Sequence, residues 1–186
     1  MTKEEVIAKS EAIGGLSTHE EKEALWELSQ KYIREGGLAI EVGTWTGGSA
    51  VIIGEVCAQK GARLICIDSF STDMHGLGNG VMASPLESVI NNTKGLPIDF
   101  MAGDSTIFVN YLKSEIADLV FIDGDHHYPR VELDIRGYIS TVRKGGMYCG
   151  HDYTNPCDVK AVIDEFLPGK FTLYGSIWAY EIPINN

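Results

Sequence analysis

Apolar and polar positions change their period along this chain, and the changes mark out its elements. Before Glu35 the pattern is helical: Leu25, Leu28, Tyr32 and Ile33 recur on one face of "THEEKEALWELSQKYIRE". Thr18 with Glu21 three positions later has the form of a capping box, and Gly36-Gly37 stops the helix. The segment reads as one N-terminal helix ahead of the first strand. After Gly37, short apolar runs alternate with amphipathic ones. Strands are predicted at "LAIEV", "ARLICID", "IDFMAG", "ADLVFID" and "GGMYCGHD". Helices are predicted at "GGSAVIIGEVCAQK", "PLESVINNTK", "STIFVNYLKSE", "YPRVELDIRGYISTV" and "DVKAVIDEFL". The tail "KFTLYGSIWAYEIP" reads as two strands around Gly175.

Repeated strand–helix units imply an α/β fold with a mostly parallel sheet and helices on both faces. The expectation is a Rossmann-like, doubly wound, seven-stranded sheet with an antiparallel C-terminal hairpin strand. The 186 residues suffice for one domain with its own core: a helical segment over 1–36 and a Rossmann-like core over 37–186. A net charge of -11 and the lack of a Lys/Arg run argue against a nucleic-acid partner. No apolar run approaches the roughly 18 residues of a membrane helix. The charged N-terminus has no signal-peptide core, and the four cysteines form no C-x-x-C pair. A reducing cytoplasm is the expected setting.

The chemistry concentrates at strand ends. "EVGTWTGGS" carries a first strand into a glycine turn and then a helix, where a doubly wound sheet binds ligands. The glycines are expected to admit a ligand close to the backbone. Gly43 and Gly47 are spaced G-x-x-x-G, which differs from the dinucleotide fingerprint G-x-G-x-x-G and disfavours a nicotinamide cofactor. Asp68, ending the second strand, is placed to accept hydrogen bonds from ribose hydroxyls. Glu41 is placed to accept from an ammonium group. The fourth and fifth strands end in "DGDHHY" and "GHDY". Asp123 and Asp152, with a histidine, would make a site for Mg²⁺ or another divalent cation. His126, three residues after Asp123, is a candidate general base because an imidazole titrates near neutral pH. His151 is read as a metal ligand, a substrate contact or a structural histidine. A zinc motif and a G-x-S-x-G nucleophile elbow are both absent.

Taken in order, "EVGTWTGGS", "CIDSF", "AGDS" and "FIDGDHHY…GGMYCGHDY" resemble class I S-adenosylmethionine-dependent methyltransferases, within them methyltransferase family 24, a branch of small-molecule O-methyltransferases. The resemblance implies an enzyme that moves a methyl group from S-adenosylmethionine to a hydroxyl of a sugar or catechol-like compound. It implies cofactor contacts from Glu41, Gly43, Thr44, Gly47, Ser49, Asp68, Ser69, Asp104, Ser105 and Asp123. It also implies catalytic roles for His126 and Asp123, and metal ligands at Asp123, His151 and Asp152. His151 departs from the acid that relatives carry there. The loop 71–80, with Met74 and His75, is a candidate lid, and a homodimer is open. The rival reading is a metal-dependent hydrolase built on the Asp/His cluster, with the glycine turn purely structural. A further rival is a binding module that has kept the fold without the chemistry.

Overall fold

Parallel pairing at the centre of the sheet follows from strands that are apolar on both faces. In the computed structural model, which describes residues 1–15, 17–70 and 85–184, β4 (Ala117–Ile122) is buried at all six positions. Its neighbours are β1 (Leu38–Val42) and β5 (Val142–Gly150), both parallel to it. β2 (Arg63–Asp68) and β3 (Ile98–Ala102) extend the sheet beyond β1, and β6 (Thr172–Tyr174) and β7 (Ile177–Glu181) close the other side. Among the described residues the order is β3-β2-β1-β4-β5-β7-β6, with β7 antiparallel to both neighbours. The strand order reverses between β1 and β4, so a crevice is expected at their carboxyl ends.

The N-terminal segment differs from the single helix expected. It forms α1 (Lys3–Ile13) and α2 (His19–Tyr32). Gly14 and Gly15, at φ 92° and 133°, break the run in a backbone region that favours glycine. Each helix opens with a threonine–glutamate capping box, at Thr2/Glu5 and Thr18/Glu21. Leu25, Leu28, Tyr32 and Ile33 are buried, as their spacing requires. α3 (Gly48–Gln59) follows β1 and packs against both N-terminal helices; their cluster includes Val6, Leu25, Val51 and Val56.

The opposite face is covered by α6 (Arg130–Tyr138) and α7 (Val159–Phe166), over a cluster that includes Val131, Ile135, Ile163 and Trp178. Trp178 is fully buried and meets Tyr148 edge-on at 5.1 Å between centroids. α4 (Pro85–Asn92) precedes β3, and α5 (Ser105–Phe108) follows it as a single turn, shorter than predicted. The expected lid at 71–80 lies outside the described residues. Cys57, Cys66, Cys149 and Cys157 are free thiols. No helix among the described residues is long and apolar enough to cross a membrane.

Candidate active site

The turn after β1 is built around its neighbours. Gly43 has φ 84°, and a Cβ there would collide with the Asp123 carbonyl, so glycine lets the ends of β1 and β4 close on one another. A Cβ at Gly47 would come within 2.8 Å of Val89 in α4. Both glycines were expected to make room for a ligand; here the close neighbour of each is protein.

Asp68 organises the same turn. Its Oδ2 accepts from the Thr44 and Trp45 N–H groups at 2.8 and 2.9 Å, and Oδ1 accepts from the Phe70 N–H at 2.8 Å. Trp45 and Phe70 both have φ 46°, a strained conformation for non-glycine residues that these bonds hold in place. Glu41 is fully buried below the turn, and the Cys66 thiol donates to its Oε2 at 3.3 Å. Burial pushes its carboxyl up to about 7, against the opposing pull of Ser49, Cys66 and Thr44. Glu41 Oε1, Thr44 Oγ1 and Trp45 Nε1 are buried without hydrogen-bond partners. Buried polar atoms without aligned partners are uncommon, so these three are candidate contacts for a polar ligand.

Asp104 and Ser105, on the adenine side by resemblance, already hold protein partners. Asp104 accepts from the Thr106 N–H and hydroxyl and pairs with Arg130 at 3.0 Å. Ser105 donates to Asp134 at 2.7 Å. Asp134 is buried, and burial pushes its carboxyl up to about 6. Its sequence position, mid-helix, gave no sign of this. Ser69 is exposed at the end of β2.

Across the crevice, Asp123, His126 and Asp152 bring one donor atom each within 4.8 Å of one another. His126 Nε2 lies 2.6 Å from Asp152 Oδ2 and 3.6 Å from Asp123 Oδ1. Even so, Nε2 has no aligned hydrogen-bond partner. His126 forms a close ion pair with Asp152, and the three groups are also near enough together to hold one cation. Two carboxylates and an imidazole suit Mg²⁺ or Mn²⁺.

The charges are strongly coupled. Asp123 and Asp152 together push the His126 imidazole up to about 10. Burial would raise Asp152, but His126 and His151 outweigh it and hold that carboxyl well below its usual range. Burial raises Asp123. Asp152 has φ 66°, and its Oδ1 accepts from the Asn155 side chain, a partner the sequence reading did not single out.

His151 stands behind this group. Its Nδ1 is 3.2 Å from Asp152 Oδ1 and 3.9 Å from Asp123 Oδ1, while Nε2 faces Glu21 Oε2 at 3.2 Å. The three donors that converge are therefore Asp123, His126 and Asp152, with His151 adjoining. His127 is exposed and turns toward Asp158.

Residues 40–153 match methyltransferase family 24, described as a methyltransferase domain. An uncharacterized protein of Acanthamoeba polyphaga mimivirus is 27% identical over 175 residues, covering 87% of this chain and 77% of its own. The O-methyltransferase NovP superposes with a TM-score of 0.69 at 16% identity, over 91% of this chain and 83% of NovP. The methyltransferase MycE of the mycinamycin biosynthetic pathway, solved with Mg, SAH and mycinamycin VI, superposes with a TM-score of 0.56 at 16% identity, over 86% of this chain and 48% of MycE. The family match spans more than half of the sequence and includes the glycine turn, Asp68, Asp123, His126 and Asp152, so the chain belongs to methyltransferase family 24.

Proposed function

We propose that this protein transfers the methyl group of S-adenosylmethionine to a hydroxyl of a small molecule, a sugar or catechol-like compound, with a divalent cation at Asp123 and Asp152. One juxtaposition carries the reading. The β1 turn with its unpaired polar atoms and the Asp123–His126–Asp152 donors are neighbours, because the end of β1 at Gly43 packs against the backbone of Asp123 at the end of β4. This adjacency supports a donor molecule at the turn and an acceptor at the cluster. NovP is an O-methyltransferase and MycE was solved with Mg and SAH, which supports the same division of the site.

When bound, S-adenosylmethionine supplies a methyl already activated on a sulfonium, and a divalent cation lowers the pKa of a chelated hydroxyl. The remaining work falls to the chain. Glu41 Oε1 accepts from the amino-acid end of the donor. Asp68 holds the turn in shape through its bonds to the Thr44, Trp45 and Phe70 N–H groups, and so shapes the place where the ribose would lie. Asp123 and Asp152 would hold the cation, which would position a chelated acceptor hydroxyl for transfer. Asp123 and Asp152 are what raise the His126 imidazole; a cation held by those two carboxylates would remove that cause, and His126 Nε2, left off the cation and unprotonated, would take the hydroxyl proton. Four free thiols, three of them buried, suit a reducing cytoplasm.

The test is calorimetric titration with S-adenosylhomocysteine, with and without Mg²⁺, followed by a mass-spectrometric screen of hydroxylated acceptors. Micromolar binding and a product heavier by one methylene are expected, with His126→Ala lowering kcat by about 10²- to 10⁴-fold. Failure to bind the nucleoside would overturn the reading and favour the metal-dependent hydrolase. Binding with no transfer to any acceptor would favour the binding module.

A further inference from the structure

Glu21 does more than cap a helix. Capping-box glutamates ordinarily face solvent, and Glu5 in α1 is exposed. Glu21 is 5% exposed. Its Oε2 accepts from the Thr18 N–H at 2.7 Å, and its Oε1 accepts from the Ser176 N–H at 2.6 Å, in the turn between β6 and β7. A Cβ at Gly175 would lie 2.7 Å from Oε1, so glycine at φ 61° lets this turn close over the carboxylate. The side of the carboxylate that faces the site meets His151 Nε2 at 3.2 Å, an ion-pair contact off the hydrogen-bond axis.

The imidazole spans the gap from there to the cluster, with Nδ1 toward Asp152 and Asp123. The β6–β7 turn is fastened to the same stretch. Tyr153 N–H donates to the Ser176 carbonyl at 3.0 Å, and Thr154 donates to Ser176 Oγ through its N–H and hydroxyl at 3.1 and 2.9 Å. A buried carboxylate is costly unless it is paired, and a helix cap alone does not call for burial. Its burial is explained by what it faces.

We propose that Glu21 is a positioning residue of the active site: it fixes the His151 ring against Asp152 and Asp123 and so sets the affinity of that carboxylate pair for a divalent cation. This rests on the proposed function only for the identity of the occupant. Carboxylates behind a ligating histidine commonly change metal affinity by about 10- to 100-fold when removed, and His151, which adjoins the ligands instead of being one, puts Glu21 at the lower end of that range.

The experiment compares wild type, Glu21→Gln and Thr18→Ala. Mn²⁺ affinity is measured by calorimetry with S-adenosylhomocysteine present, alongside thermal unfolding and the ¹⁵N shifts of the His151 ring. Glu21→Gln keeps an acceptor for Ser176 and removes the charge. It is expected to weaken Mn²⁺ binding at least tenfold and move the His151 shifts, with nucleoside affinity within about twofold of wild type. Thr18→Ala is expected to lower the melting temperature and leave Mn²⁺ affinity unchanged. Wild-type Mn²⁺ affinity and unmoved His151 shifts in Glu21→Gln would overturn the proposal and leave Glu21 a cap. If the wild type takes no Mn²⁺, the metal part of the proposed function fails. The His151 shifts then decide alone: a change in Glu21→Gln supports the positioning role, and identical shifts overturn it.

Discussion

Glu41 is the residue whose burial has the clearest solution consequence. Its carboxyl is pushed up to about 7 by burial, so the free protein holds it largely protonated in mildly acid solution. A ligand ammonium beside it favours the charged form, so binding below pH 7 must release that proton. Affinity for S-adenosylhomocysteine is therefore expected to level off near pH 8, while the ligand ammonium is still charged, and to fall toward tenfold per unit below 7. Titrations at several pH values check this, and Glu41→Gln should bind more weakly with no dependence over that range. Asp134 gives the matching prediction for stability. Its folded carboxyl, raised to about 6 by burial, lies above the ordinary 3.8, so the fold is penalised once both states ionise. Stability should rise as pH falls from above 6 toward 4, and Asp134→Asn should melt higher than wild type at pH 8 by removing that penalty. The acids at strand ends were legible because their types and spacing carry chemistry. Asp134 and Glu21 were not, because their roles depend on burial, and nothing local in "ELDIRGY" or "THEEKE" states it.

At the scale of elements, alternating patterns placed the strands and most helices within a few residues, since continuous apolar runs have few alternatives to the interior of a parallel sheet. Two breaks were hidden. Gly14-Gly15 splits the N-terminal run into α1 and α2, and apolar spacing on either side does not record the change of direction. "STIFVNYLKSE" yields one α-helical turn, capped by Asp104, followed by a 3₁₀ turn at Val109–Tyr111, although its apolar spacing at Phe108 and Leu112 suits a longer helix. Long-range ion pairing was equally invisible. Asp118, at the start of β4, is fully buried between Arg34 and Arg143, and its Oδ2 also accepts from the Arg34 and Leu38 N–H groups at 3.3 Å. Burial alone would raise this carboxyl, but the two guanidinium groups hold it below the usual range. It ties the end of α2, the start of β1 and β5 to one point. Asp118→Ala is expected to cost roughly 3 kcal/mol, the lower end for breaking a buried pair, since Arg34 still reaches solvent. Urea unfolding measures it; a loss under about 1 kcal/mol would show that the three elements are held by packing alone.

For the whole molecule, the site draws on both ends of the chain. The β1 turn, the ends of β4 and β5, α2 through Glu21 and the β6–β7 turn through Ser176 all meet around one crevice. The apolar cluster behind them likewise joins Val6 of α1 and Leu25 of α2 to β-sheet residues such as Leu119 and Cys149. A ligand that fills the crevice should therefore stabilise the fold as a unit. S-adenosylhomocysteine at a hundred times its dissociation constant is worth about 2.7 kcal/mol if only the folded state binds it. At this chain length that corresponds to a rise of roughly 5–10 °C in a single melting transition. Circular dichroism in the helical region is weighted to all the helices, α1 and α2 included, while two of the three tryptophans, Trp45 at the β1 turn and Trp178 in β7, report the sheet and only Trp26 reports α2. Coincident transitions that shift together are expected. A helical phase that melts earlier and ignores the ligand would mean that α1 and α2 fold apart from the site, and the coupling through Glu21 would then have no mechanical basis.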